Sequence, residues 1–461
     1  MSMLVWNTLT RRKEELEPRE PPWVRLFVCG PTVYDDAHLG HAKTYTHFDL
    51  IARHLRLRGF DVEYAQNITD VDDKIINRAR RLGITVEALA RRQELRYREE
   101  MTALGNTSVD TYARAGDHIP QIVSQVERLV AGGHAYELPD GHYFDTTSFP
   151  GYGKLARRRD VGPEDSVSRL DENPLKRHPG DFALWKRRKP GEPYWESPLG
   201  RGRPGWHIED TAITETLFGP QYDFHGGAVD LIFPHHEAEI AQMESISGRA
   251  PLAKYWLHTG LLTLRDAKMS KSAGNAFTIR RVLADTPPRV LRFFLIRHRY
   301  RSALEFDAGR LHSAASALRR LDAFSARVRE GEERGPRARE VADAREAVLG
   351  ALDDDFDTPA ALAILFEFVR AQNGRPRAAA GSRALLRELD RVFGFLAPAP
   401  EASERDAWVA AEVRRRDRLR RERRFAEADA IRERLREEHV VVEETGASSR
   451  WYRRSGSEVR T

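Results

Sequence analysis

The sequence contains a single cysteine, Cys29, among its 461 residues. One thiol cannot form an intramolecular disulfide, which excludes a disulfide-stabilised scaffold and favours a reducing compartment. Long hydrophobic runs are also missing, since no stretch of about 18 apolar residues occurs, and the first residues are too polar for a signal peptide. We therefore expect a cytoplasmic protein that does not contact a membrane.

The chain also lacks a strong excess of charge of one sign. Its 75 lysines and arginines stand against 70 acidic residues, for a formal net charge of +5. No uniform field marks a nucleic-acid-binding protein, so any basic surface must be local. The length corresponds to about three domains at roughly 150 residues each.

Lysine is scarce as well, with ten in the whole chain and none after Lys271. Two of the ten lie in one short segment, Lys268-Met269-Ser270-Lys271-Ser272. Lysine binds phosphate as a mobile point charge, whereas arginine presents a rigid fork. The segment therefore predicts a loop that follows a moving pyrophosphate; a solvated charged turn is the alternative.

A strand, a turn, a helix and a second strand are predicted near the amino terminus. Residues 25–29 have strand character, residues 41–58 have apolar side chains at helical spacing, and residues 60–68 again have strand character. This order predicts a βαβ unit. We therefore expect a Rossmann-type sheet with its ligand site at the carboxyl ends of the strands.

Two histidines, His38 and His41, lie where that helix is expected to begin. A helix N-terminus offers unpaired N–H groups and the positive end of a dipole to a phosphate. Imidazoles there would donate hydrogen bonds to phosphate oxygens as negative charge shifts during a reaction. Gly40 removes a side chain that would block a base or ribose. Most isolated H-x-x-H pairs are structural, so the surrounding pattern carries this prediction.

Residues 234–239 allow two interpretations. A proline followed by acidic residues is ordinary chemistry for a helix start. His235 and Glu239, however, lie four residues apart and so on one helical face, as at metal sites. Cys29 ends the first predicted strand and would lie nearby in the same sheet, although a lone buried cysteine is most often a small hydrophobe. The residues alone leave both a helix start and a zinc site open.

Several segments, taken in order, resemble those of the cysteinyl-tRNA synthetases. They are residues 28–34, 38–41, 67–74, 205–209, 233–237 and 268–272, and the similarity extends from Trp6 to Trp451. The resemblance implies a class I aminoacyl-tRNA synthetase that binds ATP with Mg²⁺, activates cysteine as its adenylate and transfers it to tRNA. It also implies a zinc ion that recognises the substrate thiol.

The resemblance assigns roles to individual residues. The implied catalytic residues are His38, His41, Lys268 and Lys271. The implied ATP-binding residues are these four with Pro31, Thr32, Gly40, Met269, Ser270 and Ser272. The implied substrate-binding residues are Thr69, Trp206, His225 and Asp230. The implied metal ligands are Cys29, Asp210, His235 and Glu239.

Asp210 departs from the family pattern, which has a second cysteine ligand there. Aspartate binds zinc at about 2.0–2.2 Å and carries the same formal charge as a thiolate. The resulting site is harder and richer in oxygen, so we expect it to retain zinc less strongly. Ala228 and Val229 also depart from the glycine and serine that are usual in the family.

These changes concern the choice of amino acid. Cysteine and serine differ by one atom, and size contacts alone discriminate such pairs only about 10- to 200-fold. A zinc ion that binds a thiolate discriminates further, because a thiol ionises far more easily than an alcohol. The departures therefore concern the amino-acid pocket and not the fold.

The predicted fold class is α/β: a class I Rossmann-type catalytic domain split by an insertion, an α-helical bundle, and a small basic carboxyl-terminal α+β module. The expected domains are residues 1–100 and 204–285 for the two catalytic halves, 101–203 for the insertion, 286–396 for the helical stem and bundle, and 406–461 for an anticodon-binding module. Small hairpins are predicted in the insertion around residues 143–144 and 182–185, and a short apolar strand is predicted at residues 229–233.

An acidic run, residues 353–357, precedes Pro359. It predicts a solvated helix cap with Asp357 or Thr358 as the capping residue. The run lacks the spacing and glycine of a calcium loop.

The carboxyl-terminal segment is rich in arginine. Arginines crowd residues 414–424 and 432–436, a strand is predicted at 440–442, and Trp451 and Tyr452 lie among further arginines. A charge run is usually a solvated face, but planar cations mixed with aromatics suit phosphate contacts and stacking on unpaired bases. In the family this region reads the anticodon, so tRNA is the expected partner of a protein that we expect to be a monomer.

Two other functions stay open from the sequence. A related family joins cysteine to an amino-sugar inositol, and it does not need the arginine-rich tail. The other possible function is that of a paralogue with altered amino-acid specificity or a non-catalytic RNA-binding role. The retention of both histidines and both lysines opposes a non-catalytic role. Asp210 supports an altered amino-acid pocket.

Overall fold

The computed structural model describes residues 2–158, 173–264, 267–268, 277–329, 338–396, 404–422, 424–438, 440–445 and 448–453. It divides into two compact units, residues 1–396 and 397–461. No helix in these ranges is long and apolar enough to cross a lipid bilayer.

The strands of the first unit are β1 Leu4–Asn7, β2 Arg12–Glu15, β3 Trp23–Val28, β4 Asp61–Ile68, β5 Thr111–Arg114, β6 Ala135–Leu138, β7 Gly141–Phe144, β8 Phe182–Arg187, β9 Gly202–Pro204, β10 Tyr222–Ala228, β11 Ala253–Thr259, β12 Leu262–Leu264, β13 Ala267–Lys268 and β14 Leu304–Glu305. Its helices are α1 Leu39–Leu57, α2 Asp73–Leu82, α3 Val86–Ala103, α4 Ile119–Ala131, α5 Trp206–Phe218, α6 Glu237–Ser247, α7 Ile279–Asp285, α8 Pro288–Ile296, α9 Ala308–Arg329, α10 Ala338–Asp353, α11 Thr358–Asn373 and α12 Ser382–Phe393.

The central sheet has five strands in the order β11-β10-β3-β4-β5. All of its pairs are parallel. β10 is buried almost along its whole length, as expected for a parallel sheet covered on both faces. The pairing of β3 with β10, Leu26 opposite Phe224 and Val28 opposite Gly226, joins the two halves of the predicted Rossmann-type domain. The predicted βαβ unit, β3-α1-β4, is confirmed.

Gly226 lets α1 pack closely on the centre of this sheet. A Cβ atom at this position would lie 2.3 Å from Cζ of Phe48, which is fully buried on α1. No other residue leaves room for that ring. Gly226 is therefore required by the packing of α1 on the sheet, whereas a Cβ atom at Gly227 would lie 2.7 Å from the His236 ring.

The strand predicted at residues 229–233 is wrong. β10 pairs with β11 as far as Ala228 opposite Thr259 and ends there. Val229–Leu231 then forms a 3₁₀ turn, and Ile232–His236 forms a π-helical turn before α6. The apolar run turns away at the carboxyl edge of the sheet because its partner strand continues no further. Pro234 therefore lies in this turn and not at the first position of α6.

A second sheet, β6-β7-β8-β9, is antiparallel. It confirms the hairpins predicted around residues 143–144 and 182–185. β5, however, belongs to the central sheet, so the predicted insertion range 101–203 also contains a strand of that sheet. We propose that the insertion itself extends from α4 to β9, and the other domain boundaries remain proposals.

The acidic run after α10 is more buried than predicted. Asp353, Asp355 and Asp357 are 7%, 4% and 7% exposed. Asp353 pairs with Arg58, and Asp355 pairs with Arg301. These carboxylates are ion-paired across chain segments far apart in sequence, a pattern that local spacing does not reveal. Asp357 does cap α11 as predicted, because its carboxylate accepts the Ala360 N–H at 3.2 Å.

One buried arginine joins the catalytic half to the helical bundle. Arg292, on α8, is fully buried and its guanidinium donates to the Phe393 carbonyl at 2.6 Å, to Asn106 Oδ1 at 2.8 Å and to Asp49 Oδ2 at 2.6 Å. Burial works to raise the pKa of Asp49, but Arg292 and Arg53 hold that pKa below its ordinary value. The contacts connect α1, the loop after α3 and the end of α12.

The second unit contains α13 Glu404–Arg421, α14 Phe425–Glu437, β15 Val440–Thr445 and β16 Ser448–Arg453. The strand predicted at 440–442 is confirmed. The hydrophobic core of the second unit consists of Val409, Val413, Leu419, Ala428, Ile431, Leu435, Val440 and Val442. The arginines differ in their surroundings, because Arg416 is buried and Arg434 pairs with Glu412, whereas Arg414 and Arg418 are exposed.

We predict that Arg292→Leu lowers the free energy of unfolding by about 3–5 kcal/mol, because it leaves Asp49 buried without its main partner. Urea unfolding followed by tryptophan fluorescence measures the change. The control is Arg201→Leu, which breaks an exposed pair with Glu196 and should cost at most about 1 kcal/mol. Equal effects of the two substitutions would contradict the role given to Arg292.

Candidate functional site

Helix α1 begins with a cap made by two histidines. His38 is the N-cap, and its Nδ1 accepts the His41 N–H at 3.3 Å, while His41 Nδ1 accepts the His38 N–H at 3.3 Å. The two rings stack with centroids 3.8 Å apart. A Cβ atom at Gly40 would lie 2.9 Å from the His38 ring. The arrangement fixes both imidazoles at the helix N-terminus, where the sequence predicted them.

The chain that leaves the two-lysine segment returns beside this helix start. Thr278 forms an antiparallel bridge with His38. The Leu39 N–H donates to the Phe277 carbonyl at 3.0 Å, and the Ile279 N–H donates to the Ala37 carbonyl at 2.9 Å. Residues 277–279, which follow the lysine segment by a few positions, are thus bound through the backbone to the start of α1, about 230 residues earlier in the sequence.

Only the first residue of the lysine segment is described. Lys268 ends β13, where it lies opposite Thr263 of β12 in an antiparallel pair. Met269, Ser270, Lys271 and Ser272 lie outside the described residues. Their predicted roles therefore stay predictions.

The turn after β3 pairs with the end of β4. Thr32 bridges Thr69, the Val33 N–H donates to the Thr69 carbonyl at 3.2 Å, and the Thr69 N–H donates to the Pro31 carbonyl at 3.3 Å. The Thr69 hydroxyl donates to Glu209 Oε2 at 2.8 Å. Predicted ATP-binding and substrate-binding residues therefore lie next to each other at the carboxyl edge of the sheet.

Three predicted metal ligands come together behind this turn. The Cys29 Sγ, an Asp210 oxygen and a His235 ring nitrogen all lie within 4.8 Å of one another. His235 Nε2 is 3.4 Å from Cys29 Sγ and 3.2 Å from Asp210 Oδ2. A tetrahedral ion with bonds of about 2.0–2.3 Å places its ligand atoms about 3.3–3.8 Å apart. These separations suit a metal ion.

Glu239, the fourth predicted ligand, lies between this group and a second one. Its Oε1 is 3.3 Å from His235 Nε2, and its Oε2 is 3.4 Å from His225 Nε2. His225, His236 and Glu239 form a second set of possible ligands within 4.8 Å. Among the described residues, no donor makes a hydrogen bond with the proper geometry to either oxygen of Glu239, although the side chain is fully buried.

The electrostatics of the group favour a cation. Burial raises the pKa of the Cys29 thiol, and the Asp210 and Glu239 carboxylates raise it further. Burial and the neighbouring Asp210 also raise the pKa of Glu239. In the described part of the chain no lysine or arginine pairs with Asp210 or Glu239. A divalent cation supplies the missing positive charge and favours the ionised ligands, so this donor set fits a zinc ion.

The remaining predicted substrate-binding residues lie at different distances from the possible metal ligands. The Trp206 ring, at the start of α5, stacks on His235 with centroids 4.2 Å apart and planes 9° apart. His225 is fully buried and its Nδ1 lies 2.7 Å from the Tyr222 hydroxyl. Asp230 is exposed in the turn after β10. Trp206 and His225 therefore belong to the metal group, and Asp230 lies at its outer edge.

Sequence reasoning missed several buried polar residues of this site. His207 Nδ1 lies 2.8 Å from His235 Nδ1, and His236 Nδ1 lies 2.8 Å from His258 Nε2. Burial lowers the pKa of His207 and His236 well below the ordinary value and that of His258 to about 3. The adjacent histidines 235 and 236 were the only sequence signal for such a cluster.

Comparison with known families identifies two regions of the chain. A family model described as the catalytic domain of class I (C) tRNA synthetases matches residues 15–316. A DALR domain matches residues 347–397, which cover the end of α10 together with α11 and α12.

Curated relatives match almost the whole chain. A cysteine–tRNA ligase of Carboxydothermus hydrogenoformans is 41% identical over 466 residues, which cover 98% of this chain and 100% of that protein. Cysteine–tRNA ligases of Alkalilimnicola ehrlichii and Symbiobacterium thermophilum are 44% and 42% identical, over 97% and 98% of this chain and 99% and 100% of those proteins.

Solved structures of similar fold are more distant. Mycobacterium tuberculosis methionyl-tRNA synthetase in complex with methionyl-adenylate has a TM-score of 0.56 at 18% identity, over 81% of this chain and 88% of that one. A ternary complex of Agrobacterium radiobacter LeuRS with tRNA and LeuAMS has a TM-score of 0.62 at 12% identity, over 82% and 85%. These likenesses show the class I catalytic fold. Taken with the curated relatives and the family model, they lead to one conclusion: the chain belongs to the cysteine–tRNA ligases, which are class I aminoacyl-tRNA synthetases.

Proposed function

We propose that this protein activates cysteine with ATP and attaches it to tRNA at the carboxyl edge of the central sheet. In the first step a carboxylate oxygen of cysteine attacks the α-phosphorus of ATP, and pyrophosphate leaves. In the second step a hydroxyl of the terminal ribose of tRNA attacks the acyl carbon, and AMP leaves. The observation that supports this most is the backbone bridge between His38 and Thr278, which binds the chain six residues after Ser272 to the helix start.

The residues at that helix start would stabilise the reacting phosphates. His38 and His41 each use Nδ1 in the helix cap, so Nε2 is the ring atom that we propose donates to phosphate oxygens. Preorganised donors of this kind act where charge develops in the transition state. Mg²⁺ accompanies ATP, and Lys268 and Lys271 are the proposed ligands of the departing pyrophosphate.

The metal group would recognise the amino acid. Cys29, Asp210, His235 and Glu239 are the proposed zinc ligands, and zinc, when bound, supplies a soft site for the thiolate of cysteine. Trp206 stacks on His235 and holds that ring in place. Thr69, anchored to Thr32 and to Glu209, is proposed to contact the bound amino acid together with His225 and Asp230.

The acceptor is proposed to be tRNA. The curated relatives are cysteine–tRNA ligases along their full length, which does not favour an amino-sugar acceptor or a non-catalytic role. The exposed arginines of α13 are proposed to contact tRNA phosphates. A cytoplasmic monomer remains our prediction for the location and assembly of the protein.

We predict that His41→Ala and His41→Gln both lower kcat for cysteine-dependent ATP–pyrophosphate exchange about 10²- to 10³-fold, the loss typical for one transition-state donor. Glutamine at the third helical position still accepts the N-cap N–H, so His41→Gln should unfold at the temperature of the parent. His312→Ala, at an exposed site on α9, is the control. Near-parent exchange by His41→Gln would assign His41 to the helix cap alone.

We predict that Asp210→Cys retains zinc longer than the parent during dialysis against a chelator, because a second thiolate is a softer ligand. Asp210→Ala should lose zinc fastest, since it removes a ligand. Elemental analysis of samples taken during dialysis gives the occupancy. Full occupancy of the parent after prolonged chelation would show that Asp210 does not weaken the site.

We predict that Arg414→Glu/Arg418→Glu lowers kcat/KM for tRNA charging at least about tenfold and makes charging less sensitive to salt, because each phosphate contact contributes to the salt dependence. Amino-acid activation should change far less. The control is Arg81→Glu/Arg249→Glu, which makes the same charge change at exposed positions of the first unit. If both double variants charge tRNA equally well, α13 does not bind tRNA.

A further inference from the structure

Asn67, the penultimate residue of β4, hydrogen-bonds the proposed metal ligand Asp210 and the backbone of Gly30, the residue that follows the proposed ligand Cys29. The side chain is fully buried. Its Oδ1 accepts the backbone N–H of Gly30, the residue after Cys29. Its Nδ2 donates to Asp210 Oδ1 at 2.7 Å. Because the Gly30 N–H can only donate, the orientation of the amide is fixed, and the NH₂ group must face Asp210.

The backbone around Gly30 is shaped for this contact. A Cβ atom at Gly30 would lie 1.8 Å from the Asn67 carbonyl oxygen, so only glycine allows the two segments to approach. Cys29 is held at the same time, since its N–H donates to the Gly226 carbonyl at 2.9 Å. The position of Asn67 is therefore set by the same backbone that positions the thiol.

The hydrogen bond from Asn67 gives the two carboxylate oxygens of Asp210 different partners. Oδ1 is the acceptor for Asn67, whereas Oδ2 lies 3.2 Å from His235 Nε2, within the ligand group. A carboxylate can accept a hydrogen bond with one oxygen and bind a metal with the other. A cysteine at this position has a single donor atom, so the division of roles exists only with aspartate at position 210.

We propose that Asn67 is a positioning residue that makes Asp210 a monodentate metal ligand through Oδ2. The result is a four-ligand site with one thiolate, one imidazole and two carboxylates. This inference rests on the metal centre of the proposed function. With a single soft ligand, the site discriminates less between Zn²⁺ and a harder divalent ion such as Co²⁺ than the same site with cysteine at position 210.

Partners that orient a metal ligand typically contribute 10- to 100-fold in affinity. We therefore expect Asn67→Ser, which cannot reach Asp210 with a donor, to speed metal loss about 10- to 100-fold. In the Asp210→Cys protein the hydrogen bond from Asn67 to Asp210 Oδ1 no longer exists, so the same substitution should change metal loss much less there. Asn67→Ser removes the acceptor of the Gly30 N–H in the parent and in the Asp210→Cys protein alike. This structural effect therefore cancels in the double-mutant cycle, which isolates the contact between Asn67 and Asp210.

The experiment uses the full chain, stripped of metal and loaded with Co²⁺ alone. Four proteins are compared: the parent, Asn67→Ser, Asp210→Cys, and the double variant. Absorption spectra report the thiolate-to-cobalt charge-transfer band and the ligand-field bands, and a chelator added in excess gives the rate of Co²⁺ loss. Substitution of Asn67 should shift the ligand-field bands of the Asp210 protein towards higher coordination, because both carboxylate oxygens then become ligands.

The outcomes separate this inference from the proposed function. An effect of Asn67→Ser confined to proteins with Asp210 supports it. An equal effect in both backgrounds shows that Asn67 acts only through the backbone, and no effect shows that Asp210 needs no orientation; either result overturns it. If the parent binds no Co²⁺ or Zn²⁺, the metal centre itself is wrong, and cysteine-dependent exchange with the same sample then decides separately whether the chain is a ligase.

Discussion

The parallel pairing of β3 with β10 is the contact on which the site depends. It joins Leu26 to Phe224 and Val28 to Gly226, residues almost 200 positions apart. Because both strands run in the same direction, their carboxyl ends meet at one edge of the sheet. Cys29 follows β3 there, and the turn that positions His235 follows β10. The group of Cys29, Asp210 and His235, the proposed metal ligands, forms because this register brings the two strand ends together.

The same edge holds the start of α1, where we propose that ATP binds. The histidine cap of α1 fixes His38 and His41, and the backbone bridge from His38 to Thr278 binds the chain that follows the lysine segment to this helix start. Side chains that must act on a small, highly charged ligand are thus held by elements with satisfied hydrogen bonds. Such preorganisation is what stabilisation of a transition state requires, since donors that reorient during the reaction lose much of their effect.

Buried charge has two different roles in this molecule. Arg292 and Asp49 compensate each other, and their hydrogen bonds connect the catalytic half to the helical bundle. Asp353 and Asp355 do the same with Arg58 and Arg301. In the ligand group, by contrast, neither Asp210 nor Glu239 is paired with a lysine or arginine of the described residues, and the donor to Asp210 Oδ1 is the neutral amide of Asn67. A buried carboxylate without a cation is costly, and this difference distinguishes a structural ion pair from a metal site.

The sequence by itself determined the fold class and the histidine and lysine motifs, and its family resemblance named Cys29, Asp210 and His235, which the structure places in one group, as possible metal ligands. Motifs of adjacent residues and periodic apolar patterns are local, so they can be read along the chain. Tertiary structure alone decided that Glu239 lies between two groups of possible ligands, that Asn67 hydrogen-bonds Asp210, and that Asp353, Asp355 and Asp357 are buried. Each depends on contacts between distant segments, whose register is set by the packing of the sheet and helices and leaves no spacing in the sequence.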